Sequence, residues 1–131
     1  MTAVAEPGAP TAGLRTEYPF TLPRGYVDEQ GRVHRAGVLR LATAKDELTA
    51  HSEPMVRQNA AYLSIFLLMR TLVRLGTLAS VDRFVVEHLF ASDLAFLQDL
   101  YRRVNQQGHT EAEVSCPGCG HEFLVDVAGT P

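Results

Sequence analysis

The segment from residue 60 to residue 75 constrains the fold of this chain more than any other. Its residues are apolar on most sides of a helix, and its only charges, Arg70 and Arg74, are spaced one helical turn apart. A helix that is apolar nearly all round lies at the centre of a domain, with other elements packed on several of its faces. Gly76 follows the segment and suits the left-handed conformation that ends many helices. The sequence therefore predicts a central helix over 60–75.

The two arginines of this segment need an explanation. A guanidinium group in apolar surroundings requires a carboxylate or carbonyl partner. Two interpretations stay open, either an ion pair inside the domain or a contact surface for another subunit. Arg70 and Arg74 are therefore candidate partner-binding residues.

The N-terminal part of the chain has the pattern of strands. A turn composition from Asp28 to Gly31, between aromatic and β-branched flanks, predicts a β-hairpin. Pro19 and Pro23 restrict the aromatic stretch before it to an edge strand or an extended arm. Such an arm either packs on the protein's own helices or adds to the sheet edge of a partner. Its candidate partner-binding residues are Tyr18, Phe20 and Leu22.

Three more helices are predicted around the central one. Thr43 and Asp46 fit a capping box, in which the two side chains satisfy each other's free backbone donors, so a short helix is expected from about 44 to 51. Ser80 is a candidate cap for a helix with an apolar stripe, and Ser92 opens a further helix of the same kind. These helices and the hairpin would surround the apolar segment.

Three of the five histidines are assigned to ordinary structural positions. His88 lies on the apolar stripe of its predicted helix and is expected to be a core or boundary residue. His34, in a hairpin arm, is expected at the surface. His51, at a helix end where the dipole favours a cation, is expected there too.

The C-terminal residues 109–131 contain a cysteine pair. Cys116 and Cys119 stand two residues apart in a Cys-Pro-Gly-Cys-Gly turn between strand-like segments, which is typical of a zinc knuckle. A structural zinc ion needs four ligands. His121 is the third candidate, and the fourth is either His109 or a second copy that contributes its own knuckle. The alternative is a ribbon-like turn that holds no metal.

Composition and charge exclude several classes of protein. Of the 131 residues, 46% are apolar and 21% are charged, which is typical of one globular domain. The net charge is −3, and residues 109–131 hold four acidic residues and no Lys or Arg, so no nucleic-acid binding is expected. The sequence has neither a signal-peptide pattern nor a membrane-spanning stretch, which predicts a cytoplasmic protein without membrane insertion. It has no catalytic motif, so no enzymatic activity is expected.

Together these features predict an α+β fold, with an N-terminal β-hairpin, three to four helices forming the core, and a C-terminal hairpin like a zinc knuckle. Residues 1–17 are rich in Pro and Gly and poor in large apolar groups, so we expect a disordered tail there. Residues 18–108 would form the hairpin and helical core. Residues 109–131 would form the knuckle hairpin, appended to the same domain.

Three stretches of the chain resemble a known group of proteins. They are YPFTLPRGYVDEQGRVH at 18–34 with VLRLAT at 38–43, LAFLQDLYRRVN at 94–105, and CPGCGH at 116–121. Together they resemble small proteins of contractile phage tails and contractile injection systems, of the tail assembly or baseplate-hub chaperone type. The first stretch is also similar to the opening of tail assembly chaperones of Mu-like phages.

The resemblance implies a non-enzymatic assembly chaperone, or a minor tail or baseplate component that becomes part of the assembled particle. Its partners would be other tail, tube, tape-measure or baseplate proteins, and self-association into a homo-oligomer is an open alternative. As a chaperone, it would use apolar helix faces to shield a subunit that is prone to aggregate. The competing hypothesis, drawn from the cysteine turn, is a zinc-ribbon interaction module that binds nucleic acid or the transcription machinery.

Overall fold

The computed structural model describes residues 14–107, 111–115 and 117–126. In chain order the elements are β1 (Glu17–Val27), β2 (Val33–Arg40), α1 (Ala44–His51), α2 (Pro54–Gln58), α3 (Tyr62–Thr71), β3 (Leu72–Leu75), α4 (Arg83–Glu87), α5 (Ala91–Arg102), β4 (Glu111–Ser115) and β5 (Glu122–Asp126). A π-helical turn, Arg103–Gln107, continues α5. The predicted α+β class is confirmed, because an antiparallel sheet of order β1-β2-β3 is combined with the helices. None of the described helices has the length and apolarity needed to cross a bilayer.

The predicted N-terminal hairpin is confirmed as the antiparallel pair of β1 and β2. Its turn is closed by a hydrogen bond from the Asp28 amide to the Arg32 carbonyl at 2.9 Å, and Gly31 supplies the positive φ of +82° that the turn requires. β1 lies at one edge of the sheet. This position suits Pro19 and Pro23, which have no amide hydrogen to donate to a neighbouring strand.

The predicted tail lies mostly outside the described residues. The described chain begins at Leu14, and Glu17 already belongs to β1. The Leu41 amide donates a hydrogen bond to the Thr16 carbonyl at 2.8 Å. Ordered structure therefore starts slightly before residue 18, where the sequence placed the boundary of the domain.

The prediction of one helix over 60–75 is wrong in its second part. The helix α3 covers only Tyr62–Thr71, and Leu72–Leu75 form the strand β3 instead. Arg70 and Arg74 therefore lie on different elements and are not stacked one turn apart. A short apolar run does not by itself distinguish a helix from a buried strand.

The register of β3 explains why a strand forms there. Leu72 pairs with Leu39 and Leu75 with Gly37, across an irregularity in the ladder. Leu72 and Leu75 remain buried, and the second edge of β2 gains a hydrogen-bonding partner. Gly76 adopts the predicted left-handed conformation, with φ +56°, but it ends a strand rather than a helix.

The helix starts agree with the sequence in one case and differ in another. The capping box of α1 is confirmed, since Thr43 accepts a hydrogen bond from the Asp46 amide and Asp46 accepts one from the Thr43 amide. The helix α4 is capped by Asp82, whose side chain accepts a hydrogen bond from the Val85 amide at 3.1 Å. The prediction that Ser80 caps it is wrong, because a carboxylate two residues later binds the free amide.

The helix α5 begins one residue before Ser92, as Ala91–Arg102. The neighbouring Asp93 is fully buried. Its carboxylate accepts hydrogen bonds from the backbone amides of Arg24 at 2.9 Å and Gly25 at 2.8 Å. These two bonds tie the irregular part of β1 to the first turn of α5.

The hydrophobic core lies between the sheet and the helices α3, α4 and α5. Its residues include Leu39, Leu68, Leu72, Leu75, Val86, Leu97 and Leu100. The chaperone hypothesis assumed that apolar helix faces, including those of the central helix, stay open for a partner. The structure corrects this expectation, because Ile65, Leu67 and Leu68 are buried and no large apolar residue of α3 is among the exposed ones. The sheet and neighbouring helices cover it within one copy of the chain.

The C-terminal strands β4 and β5 pair antiparallel, in a register that places Ser115 opposite Glu122. The turn between them includes Pro117–Cys119. Gly120 follows it with a positive φ of +76°. Cys116 lies outside the described residues.

Candidate functional site

The predicted partner-binding arm lies in the core. Tyr18, Phe20 and Leu22 are all buried, and the Phe20 ring lies 6.3 Å from the ring of Phe96 in α5. Alternate residues of a strand share one face, and on β1 this face is the one that packs against α5. The arm therefore packs on the protein's own helices, which is the first of the two alternatives. These three side chains do not form a surface for a partner.

Arg70 takes part in an ion-pair network centred on the buried Asp46. The Asp46 carboxylate accepts two hydrogen bonds from Arg40, at 2.7 and 3.1 Å, and one from the Arg70 Nε at 3.0 Å. The Thr43 amide adds another at 2.8 Å. The hydrogen bonds from Arg40 are the main reason that the pKa of Asp46 lies far below its usual range, although burial opposes them. The network joins β2, α1 and α3.

Arg74 differs from Arg70 because it is exposed at the irregular position of β3, next to the exposed Val73. Among the residues that the structure describes, its guanidinium group has no ion pair. Arg74 therefore remains available for contact with another molecule, and its role stays a prediction.

The candidate metal ligands lie at the tip of the C-terminal hairpin. Cys119 and His121 are exposed, and the His121 ring stacks beside Phe123 with 6.1 Å between the ring centres. Cys116 and His109 lie outside the described part of the chain. Within that part, no three His, Cys, Asp or Glu side chains converge as a metal site would require. The zinc hypothesis stays a prediction.

Two of the histidine predictions are wrong. His34 is buried, and its Nε2 donates to the Asp28 carboxylate at 2.8 Å while its Nδ1 accepts from the Thr77 amide at 3.1 Å. Space for the ring exists because residue 76 is Gly, where an added Cβ would lie 2.5 Å from the His34 Cβ. His88 was expected in the core or at its boundary but is exposed, and its Nδ1 lies 2.8 Å from the Phe84 carbonyl oxygen, within hydrogen-bond distance. His51 is exposed, as predicted.

A polar groove lies between the hairpin turn and the start of α4, and we call it the tyrosine groove. It has a volume of about 470 Å³. Its charged and aromatic lining residues include Tyr26, Asp28, Glu29, Arg32, Asp82 and Phe84. Three of these are carboxylates and one is a guanidinium. The groove therefore has an excess of negative charge.

Tyr26 is the unusual residue of this groove. Its side chain is only 6% exposed, yet no hydrogen-bond partner for its hydroxyl exists among the described residues. Burial raises the pKa of Tyr26, and the charges of Asp28, Asp82 and Glu29 raise it further, so the phenol stays protonated. A buried hydroxyl without a partner is rare because it costs free energy.

A second groove, of about 530 Å³, lies on the other side of α4. Tyr62, Ile65 and Leu94 give it apolar walls, and His88 lines it but not the tyrosine groove. The His88 ring stacks on Phe84 at 4.0 Å between ring centres. The helix α4 thus forms a ridge between two grooves.

Two phenylalanines are exposed at this ridge. Phe84, in α4, is 54% exposed, and Phe90, just before α5, is 51% exposed. We call the ridge and its two grooves, with Phe84, His88 and Phe90, the α4 surface. Aromatic side chains beside grooves are the groups that bind other proteins most effectively.

The sequence did not identify the α4 surface. Tyr26 and Asp82 are far apart in the chain, and only the packing of α4 against the hairpin brings them together. For Phe84 the sequence predicted a position in the core, because this residue lies on the apolar stripe of the helix expected after Ser80. The helix α4 covers only Arg83–Glu87.

No protein-family model, curated protein or solved structure matches this chain.

Proposed function

We propose that this chain is a non-enzymatic protein-binding factor of a phage-tail-like contractile machine. It acts as an assembly chaperone or as a minor tail or baseplate component, and it binds other tail, tube, tape-measure or baseplate proteins. The exposed aromatic α4 surface is the observation that supports protein binding. The resemblance of the three sequence stretches to contractile-tail proteins supports the kind of machine.

The energetic argument rests on Phe84 and Phe90. Single exposed apolar residues are common on protein surfaces, but here two aromatic rings, each more than half exposed, lie six residues apart, one within α4 and one at the N-cap of α5. Since about half of each ring is already buried, covering the exposed half against a partner is worth about 1 kcal/mol per ring. The two grooves beside the ridge provide concave surface for the partner's own side chains.

The test is a binding assay with purified tube, tape-measure and baseplate proteins of a contractile tail from the same genome. Phe84→Asp and Phe90→Asp are compared with the wild type by biolayer interferometry. Leu48→Asp is the matched control, because Leu48 is 71% exposed on α1 and lines neither groove. We expect the two ridge variants to bind at least about tenfold more weakly and the control to bind normally.

Two results would contradict the proposed function. One is that the wild type binds none of these tail proteins. The other is that both ridge variants bind as tightly as the Leu48→Asp control. Circular dichroism of each variant verifies that any loss of binding does not come from unfolding.

We further propose that the C-terminal hairpin is a zinc knuckle, with Cys116, Cys119 and His121 as candidate ligands. The spacing of the cysteines and the left-handed Gly120 after the turn support it. Since the three candidate groups of one knuckle are one short of the four ligands that zinc needs, two copies of the chain share the ion, and the Cys116 and Cys119 thiolates of both copies supply its four ligands. Elemental analysis should then find one zinc per two chains in the wild type and none in Cys116→Ser. Equal zinc in both proteins would remove the site.

A further inference from the structure

The tyrosine groove has the charge of a site for a cation. Asp28 is already engaged, since it accepts a hydrogen bond from His34 at 2.8 Å and pairs with Arg32 at 3.4 Å. Glu29 and Asp82 have no ion pair with any residue that the structure describes. Asp82 uses its Oδ1 to cap α4, which leaves its second oxygen for another donor. Two carboxylates of the groove are therefore uncompensated.

The Tyr26 hydroxyl is the second, independent observation. Tyr26 as a whole is more than nine-tenths buried and lines the groove, and its hydroxyl has no partner within the described chain. A bound group with N–H donors would satisfy its free oxygen, while the phenol proton remains for a carboxylate or a ligand carbonyl. The Tyr26 hydroxyl, which can still form hydrogen bonds, therefore lines the same groove as the uncompensated carboxylates of Glu29 and Asp82.

The shape of the groove favours an organic cation over a metal ion. A metal requires several ligands on one centre, and no such convergence occurs among the described residues. The carboxylates are instead distributed along a groove of about 470 Å³. Its wall includes the exposed ring of Phe84, and aromatic rings attract guanidinium and ammonium groups. A planar or elongated cation matches this lining.

We propose that the tyrosine groove binds an Arg or Lys side chain of the protein that docks on the α4 surface. Glu29 and Asp82 would pair with the cationic head group, and its N–H groups would donate to the Tyr26 hydroxyl oxygen. The Phe84 ring would pack against the side chain that carries the charge. This inference rests on the proposed function and names the chemistry that the partner must present.

The first experiment is an NMR titration of the full-length ¹⁵N-labelled protein with N-acetyl-arginine amide and N-acetyl-lysine amide at low ionic strength. N-acetyl-glutamine amide is the uncharged control. We expect chemical-shift changes at the amides of Tyr26, Asp82 and Val85 with the cationic probes, and at least about tenfold weaker binding of the control. Equal binding of all three probes, or shift changes only elsewhere, would overturn the proposal.

Three conservative variants separate binding from structure. Asp82→Asn keeps a residue suited to capping α4 but removes its charge, and Glu29→Gln removes the other charge. Both variants should bind the cationic probes more weakly than the wild type does. Tyr26→Phe should also bind these probes more weakly, yet raise the midpoint of thermal unfolding, because it deletes a hydroxyl that has no partner among the described residues. Normal binding by all three variants would refute the assignment.

The last experiment measures binding of the tail protein itself. In the interferometry assay, the double variant Glu29→Gln/Asp82→Asn should bind the tail protein about tenfold more weakly than the wild type. Unchanged binding by this variant would overturn the inference and leave the proposed function intact. Binding of the amide probes without binding of any tail protein would support the cation site and overturn its assignment to a protein partner.

Discussion

Substitution of Asp46 tests most directly which interactions hold the helices to the sheet. Its carboxylate is buried and accepts hydrogen bonds from Arg40, Arg70 and the Thr43 amide. In Asp46→Ala the two guanidinium groups lose their counter-charge. Removal of one partner from a buried ion pair costs about 3–5 kcal/mol. Because the Arg40 and Arg70 side chains remain 33% and 37% exposed, water compensates in part, and we expect a loss of about 3 kcal/mol.

The assay is urea unfolding followed by circular dichroism, with Asp99→Ala as the control. Asp99 also pairs with two arginines, Arg102 and Arg103, but its side chain is 37% exposed, against 4% for that of Asp46. Its loss should cost less than about 1 kcal/mol. Similar free energies of unfolding for the two variants would refute the view that the Asp46 network is a structural junction.

The pH dependence separates the charge of Asp46 from its packing. The pKa of Asp46 in the folded protein lies far below its unfolded value, which is about 3.9. Its stabilisation is therefore complete above that unfolded value and is lost as the pH falls toward the folded one. The free-energy difference between wild type and Asp46→Asn should stay constant from about pH 6 to about pH 5 and then shrink as the pH falls to about 3. A constant difference over this range would show that ionisation does not matter.

Three further substitutions follow from the structure. Asp93→Ala leaves two backbone amides of β1 without acceptors and should lower the free energy of unfolding by about 2–3 kcal/mol. A loss of less than about 0.5 kcal/mol would contradict this. Gly76→Ala places a Cβ against His34, whereas Gly31→Ala meets no atom within 4 Å, so Gly76→Ala should lower the thermal midpoint far more. Arg74→Ala should change the free energy of unfolding by less than about 0.5 kcal/mol, and a larger loss would reveal a structural role.

Local chemistry made part of the fold predictable from the sequence. The hairpin turn with Gly31 and the capping box of Thr43 and Asp46 each depend on residues within a few positions of one another, and both were predicted correctly. In these cases the hydrogen bonds that define the element are made by the motif itself. No distant contact is needed to decide the outcome.

Elements decided by distant contacts were not predictable. Leu72–Leu75 forms a strand because β2 offers it a free edge, and the apolar pattern is the same for a strand as for a helix. His34 is buried because Gly76, far along the chain, leaves room for its ring. His88 is exposed because α4 ends after five residues. Each result depends on which elements become neighbours.

The candidate site depends on tertiary structure even more strongly. Tyr26 lies in the strand β1 and Asp82 is the N-cap of α4. No sequence motif indicated a function for either residue. The proposed metal ligands show the opposite case, because Cys116 and Cys119 were identified from their spacing alone. A motif is visible in a sequence only when its residues are close along the chain.

Hydrogen–deuterium exchange of the full chain, alone and with the tail protein that the proposed function assigns to it as a partner, tests the central claim most directly. If the partner covers the ridge, amides of residues 82–90 should exchange more slowly in the complex, while those of α1 should not change. Slower exchange confined to other parts of the chain, with residues 82–90 unaffected, would contradict the assignment of the α4 surface as the binding site.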